Sequence, residues 1–194
     1  MKKSEFDAFA EEYQNLHQNN IRITGELPHY FAEYKIIDTK ELTTYYERQE
    51  ESSILDFGSG VGNSVPYLKK HFPLCNLTCL DISTKSIDIA KKRFPGYAKY
   101  CSFDGNLIPF RENSYNIVFT ACVFHHIDHS EHAAILSEIY RVLKPGGLFV
   151  IFEHNPINPL TLHAVNTCPF DENAVLIKAS KLVNTIKRAG FYKI

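Results

Sequence analysis

Asp56, Asp81, Asp104 and the glycines at 58, 60 and 62 are the residues of this chain whose types and spacing could hold a ligand. The segment Asp56-Phe57-Gly58-Ser59-Gly60-Val61-Gly62 closes an apolar run at 53–57 and opens a helical stretch. Glycines at such a turn let the backbone bend tightly and let a ligand approach the main chain. The spacing is G-x-G-x-G with Asn63 next, whereas a dinucleotide fingerprint requires G-x-G-x-x-G. Asp56 would also place a negative charge where a pyrophosphate has to lie, so it suits a ligand carrying a cationic group. Asp81 ends a second apolar run, where a carboxylate can accept both hydroxyls of a ribose. The plainer alternative there is a helix-N-terminal aspartate before Ile82-Ser83. Asp104, in Phe103-Asp104-Gly105-Asn106, ends a third run. It can accept from an adenine amino group or make an Asx-turn with Gly105. Each feature alone is ordinary. Their joint placement at the C-terminal ends of three successive strands, the ligand-binding edge of an open α/β sheet, is specific.

Histidines supply the candidate bases. His125 and His126 follow a fourth apolar run, and His154 ends a fifth. His126 and His154 are the preferred pair for general-base work, with packing or capping as the alternative for each. The spacing His126-x-x-His129-x-x-His132, with His125 and Asp128, has the form of a metal set. Those residues fall around a loop and a helix start, no cysteine completes the set, and no metal is expected. Tyr13 is either a lid residue over the ligand or a core aromatic beside Phe6 and Phe9. Arg22 either approaches a ligand carboxylate or is a solvated charge.

The elements that must position these groups alternate. Strands are expected at 53–57, 77–82, 99–103, 115–121 and 148–154, all continuous apolar runs of the kind covered on both faces in a parallel sheet. Helices are expected at 61–72, 85–94 and 131–143. The first two stop before Pro73 and Pro95, the third at Lys144-Pro145-Gly146-Gly147. This order reads as a doubly wound, mostly parallel α/β sheet. Residues 1–50 read as an N-terminal helical cap or lid and 51–194 as the core. Residues 156–170 read as a proline-rich loop, 172–189 as a helix ended by Gly190, and 191–194 as the start of one more strand.

A chain of 194 residues fits one domain. A net charge of −1 excludes a chain-wide basic surface for nucleic acid. No apolar stretch is long enough to cross a membrane. Met1-Lys2-Lys3 is followed by Glu5 and Asp7 rather than by a signal-peptide core. Five cysteines without a CxxC pair read as reduced thiols in a cytoplasmic protein.

The stretches ILDFGSGVGN (54–63), CLDIS (79–83), CSFDGNLIPF (101–110), YNIVFTACVFHHI (115–127) and LKPGGLFVIFEHNP (143–156) together resemble a class I S-adenosylmethionine-dependent methyltransferase. They span roughly half of the chain, in the family's order. The resemblance implies a seven-stranded sheet in the order 3-2-1-4-5-7-6 with strand seven antiparallel. It implies that Gly58, Gly60 and Gly62 wrap the amino-acid and ribose part of S-adenosylmethionine, with Asp56 near the methionine end. Asp81 would bind ribose and Ile82 would lie against adenine. Asp104 would meet the adenine amino group with Phe103 flanking it, and Ala121 and Cys122 would contact the methionyl end through the backbone. Asn116 departs from the aspartate often found at its position, which is usually structural. Strands six and seven are not accounted for by 191–194, so the chain reads as truncated, with an open sheet edge that a partner, such as a second copy, could cover. The function implied is methyl transfer to a small molecule, on analogy a sugar or lipid-linked glycan. The alternative is a non-catalytic or fragmentary module that binds S-adenosylmethionine. Neither nucleic acid nor membrane is an expected partner.

Overall fold

A computed structural model describes residues 7, 28–46 and 52–192. Its elements are α1 (Pro28–Tyr45), β1 (Ser53–Phe57), α2 (Val65–His71), β2 (Asn76–Asp81), α3 (Thr84–Arg93), β3 (Lys99–Ser102), β4 (Tyr115–Ala121), α4 (His132–Val142), β5 (Leu143–Phe152), α5 (Pro159–Thr167) and α6 (Ala179–Arg188). Short 3-10 turns cover Phe124–His126 and Pro169–Asp171.

The five strands form one sheet in the order β3-β2-β1-β4-β5, every pair parallel. This is the doubly wound α/β fold that the continuous apolar runs require. Alternate residues of each strand face opposite sides, so the sheet carries two cores. On one face Leu55, Phe57, Leu80 and Val118 pack with Ile135, Leu136 and Ile139 of α4 and with Leu182 and Ile186 of α6. On the other, Ile54, Cys79, Ile117, Phe119 and Val150 pack with Ile36 of α1, Val65 and Leu68 of α2 and Ile87 of α3. Helix α1 is therefore seated on the sheet: Ile36 is fully buried, and Glu33 bridges to Lys70 and His71 of α2 at 2.6 and 3.2 Å.

Local chemistry explains the boundaries. Ser83 caps α3, its hydroxyl accepting from Ser86 N–H at 3.0 Å. Asn116 Oδ1 accepts from Ser53 N–H at 3.0 Å and from Lys144 Nζ at 2.9 Å. It thus ties β1, β4 and the start of β5 together, a structural use of its position.

Three expectations are corrected. Strand β5 begins at Leu143, because 144–147 continue along β4 through a register irregularity instead of forming a loop. The proline-rich loop contains α5, which Pro159 opens after Asn158, whose side chain accepts from Leu160 and Thr161 N–H. The last helix starts at Ala179 rather than 172. Residues 191 and 192 take no regular structure, and 193–194 lie outside the described residues.

Candidate active site

The C-terminal ends of all five strands meet along one edge, and the chemistry-bearing residues lie there. After β1 the chain turns through Gly58, Gly60 and Gly62, each with positive φ. Gly58 has a second reason to be glycine, because a Cβ there would overlap the Val123 side chain. Gly60 has nothing among the described residues within 4 Å of such a position, so its face is open to them. The amides of this turn are already committed. Gly58 and Ser59 N–H donate to Leu80 O at 2.8 and 3.1 Å, Gly62 N–H to Ser59 O at 3.0 Å, and Gly60 N–H to Asp81 Oδ2 at 2.8 Å. A phosphate cradle needs such N–H groups free. Here the amides of residues 58, 59, 60 and 62 are bonded, three of them to the end of β2 and one within the turn.

Asp56 is buried at the end of β1, and its Oδ2 has no hydrogen-bond partner among the described residues. Burial, and then the nearby Asp81 charge, push its carboxyl up to about 7. A buried acid without a donor is costly unless a cation or donor arrives to meet it.

Asp81, also buried, accepts from Ser83 N–H through Oδ1 at 2.8 Å and from Gly60 N–H through Oδ2 at 2.8 Å. Burial raises its pKa, and these backbone bonds oppose the rise. A carboxylate has about four acceptor sites, so two such bonds leave capacity for hydroxyl donors. The helix-terminal role and a ribose-binding role are thus compatible.

Asp104 is exposed and makes the Asx-turn: Oδ1 accepts from Asn106 N–H at 2.9 Å and Leu107 N–H at 3.3 Å. Those bonds hold its carboxyl below the usual range. It also lines one cleft in which Phe57, Ile82, Phe103, Ile127 and Ile135 stand beside the polar Asn106 and Glu131. Tyr13 and Arg22 lie outside the described residues.

After β4, Ala121 leads into Cys122, which has φ +59, a left-handed conformation unusual for a residue with a Cβ. Its N–H donates to Phe152 O at 2.8 Å, so a backbone contact from Cys122 to a ligand falls to its carbonyl. Lys35 of α1 reaches its sulfur at 3.8 Å.

The histidines are organised by two acids. Glu153 Oε1 accepts from Val123 and Phe124 N–H at 2.8 and 2.7 Å, and Oε2 lies 2.6 Å from His125 Nδ1. On the other side of the ring, His125 Nε2 lies 3.6 Å from Asp171 Oδ1, and His126 Nε2 lies 3.3 Å from the same oxygen. Burial alone would lower the His125 pKa, but its bonds to Asp171 and Glu153 reverse this and bring it to about 10. Burial raises the carboxyls of Glu153 and Asp171, and the imidazoles more than cancel that, holding both below the usual range. The His154 ring lies 4.9 Å from the His125 ring. Burial, and then the His125 charge, push it down to about 4.

The structure thus brings His125, His126 and His154 together at the ends of β4 and β5. It does not gather the linear set 126, 129 and 132: His132 is turned to the Phe124 and Ile127 carbonyls at 3.0 Å each. Glu153 and Asp171 are the site residues that sequence reasoning missed. Glu153 ends an apolar run just as Asp56 and Asp81 do, which is a usable signal. Asp171 has none.

Residues 55–151, half of the chain, match a family described as a methyltransferase domain. The ubiquinone/menaquinone biosynthesis C-methyltransferase of Desulfotalea psychrophila is 32% identical over 106 residues, 53% of this chain and 42% of that protein. The demethylmenaquinone methyltransferase of Thermotoga maritima is 33% identical over 156 residues, 79% of this chain and 61% of that protein. The chain therefore spans 42% and 61% of the lengths of these two relatives. Among solved structures, a Thermotoga maritima protein described as an SAM-dependent methyltransferase and possible histamine N-methyltransferase superposes with a TM-score of 0.73 at 19% identity, over 98% of this chain and 81% of that one. The matched residues run from β1 into β5 and take in the glycine turn, and this chain accordingly belongs to the methyltransferase domain family.

Proposed function

We propose that this chain binds S-adenosylmethionine along the C-terminal edge of its sheet and transfers the methyl group to a small-molecule acceptor. The observation that carries the reading is the buried Asp56 oxygen that meets no donor among the described residues, beside a glycine turn whose amides at 58, 59, 60 and 62 are already bonded. That pair of features favours a cation over a phosphate. Bound there, S-adenosylmethionine supplies a methyl group on a positively charged sulfur.

The residues present fit that group. Asp56 faces the cationic portion, the open side of Gly60 admits the ribose, and Asp81 has acceptor capacity for its hydroxyls. Ile82, Phe103 and Asp104 receive the adenine, and Ala121 and the Cys122 carbonyl border the methionyl end. The chain's main contribution to rate is orientation and exclusion of water, which can supply on the order of 7–11 kcal/mol. His126 and His154 are the groups placed to take a proton from the acceptor.

The N-terminal segment acts as a lid in this reading. Asp7 supports it: its Oδ1 accepts from Ser83 Oγ at 2.5 Å and from Lys85 N–H at 3.4 Å, beside Asp81 at the ligand edge. The acceptor lies over the segment that follows β5. The two relatives are named as a ubiquinone/menaquinone biosynthesis C-methyltransferase and a demethylmenaquinone methyltransferase, and this favours a quinone-type ring over the sugar or glycan that analogy suggested.

Isothermal titration with S-adenosylhomocysteine, with NADH as comparison, tests the reading. Stoichiometric binding of the first and none of the second is expected. Binding of NADH alone would refute it.

A further inference from the structure

We propose that His125, His126 and Asp171 form a binding site for one divalent transition-metal ion of zinc-like preference. Among the described residues, these three offer ligand atoms that all lie within 4.8 Å of one another, two of the three residues being buried and the third half-buried. The Asp171 Oδ1 stands 3.6 Å from His125 Nε2 and 3.3 Å from His126 Nε2. Ligands about 2.0–2.2 Å from a common tetrahedral centre are about 3.3–3.6 Å from one another. Two of the three spacings fall in that interval with the side chains as they stand, and the third, between the two imidazoles, is within 4.8 Å.

A second, independent feature is the support behind His125. A metal-binding imidazole characteristically donates its other ring N–H to a carboxylate, which fixes the tautomer and the ring plane. His125 Nδ1 lies 2.6 Å from Glu153 Oε2, leaving Nε2 turned to Asp171. Glu153 is itself immobilised by the Val123 and Phe124 amides. The donor set, two imidazoles and one carboxylate, suits Zn2+, Co2+ or Fe2+ and leaves coordination positions for an exogenous oxygen. The His126 side chain is 11% exposed, which puts the accessible side of the set at that ring. The sequence pattern argued against a metal because the set it offered, His125, His126, Asp128, His129 and His132, surrounds a loop and a helix start and lacks Asp171. The third ligand comes from the turn after α5, far away in the chain.

This inference rests on the proposed methyl transfer only for its use. An ion there would hold an ionisable hydroxyl of the acceptor, such as a phenol, and lower its pKa. His126 would then be a ligand, and the proton-accepting role would pass to His154.

The test uses the untagged full chain, stripped with a chelator and titrated with Co2+ alone, followed by ligand-field absorption and by calorimetry. One Co2+ per chain is expected, with a tetrahedral band intensity that Zn2+ abolishes. His126→Ala and Asp171→Asn should each weaken binding at least 30-fold. Glu153→Gln should weaken it about 10-fold or more, and His129→Ala should leave it unchanged. Absence of stoichiometric Co2+ binding, or equal binding by His126→Ala, would overturn the site. His126→Ala decides the matter if Asp171→Asn does not fold. S-adenosylhomocysteine binding by the metal-free chain is measured separately, so loss of the metal site and loss of the methyl-transfer reading are told apart.

Discussion

Glu153 and His125 meet at 2.6 Å across the ends of β5 and β4, and the same carboxylate accepts the Val123 and Phe124 amides. One side chain thus shapes the turn that carries the histidines. Glu153→Ala should cost about 3–5 kcal/mol, because it strands a buried imidazolium and two amides. Glu153→Gln, which keeps an acceptor for the amides, should cost less than half of that. Urea midpoints of the two variants measure the difference, and equal midpoints would show that the carboxylate is incidental.

The glycine turn separates packing from binding. Gly58→Ala forces a Cβ into Val123 at positive φ and should destabilise the chain by roughly 2–5 kcal/mol. Gly60→Ala meets no atom and should cost only about 1–2 kcal/mol of backbone strain. Yet Gly60→Ala should be the variant that loses S-adenosylhomocysteine affinity by tenfold or more, since it fills the open face. Thermal melts alongside calorimetry would reveal whether the two effects divide in this way.

Asp56 predicts a pH dependence. Its carboxyl sits at about 7 when folded, against an ordinary 3.8. The folded state therefore holds that proton more tightly, so Asp56 adds a downward slope to stability from about pH 4 through about 7, while His154, held at about 4 against an ordinary 6.5, adds an upward slope over much of the same range. Asp56→Asn should remove the downward slope and become more stable than the parent above pH 7, by on the order of 1–4 kcal/mol. The same variant should bind S-adenosylhomocysteine more weakly. An Asp56→Asn variant whose ligand-free melting temperature follows the same pH profile as the parent over this range would contradict the burial argument.

Asp81 has a double task, tying Gly60 and Ser83 while keeping acceptor capacity. Asp81→Ala should lower cofactor affinity at least 100-fold while secondary structure by circular dichroism persists. Asp81→Asn, which can still accept one amide, should fall between. Wild-type affinity in the alanine variant would move the ribose elsewhere.

The strands at 53–57 and 115–121 were legible to the residue, because each is a continuous apolar run bounded by turn-forming residues. The start of β5 was not, since Lys144-Pro145-Gly146-Gly147 has the local chemistry of a stop and is kept in the sheet by β4 and by Asn116. Helix α5 was hidden by its prolines, although Pro159 after Asn158 is an opening signal rather than a break. Asp56, Asp81 and Asp104 stand out in the sequence because each lies at the end of its own apolar run. Asp171 could not be, because its partnership with His125 and His126 exists only once the chain has returned across the sheet edge.

That return is fastened at both ends. Glu153 anchors the departure through His125, and Asp171 together with the Val175 N–H, 2.8 Å from His125 O, anchors the arrival. The stretch between them, with Ile157 and Leu160 bare to solvent, hangs like a bridge deck between two piers. Under the proposed function, substitutions in that span would redraw what the site admits while leaving the histidines beneath in place, so diversity in acceptor choice would have a natural home there.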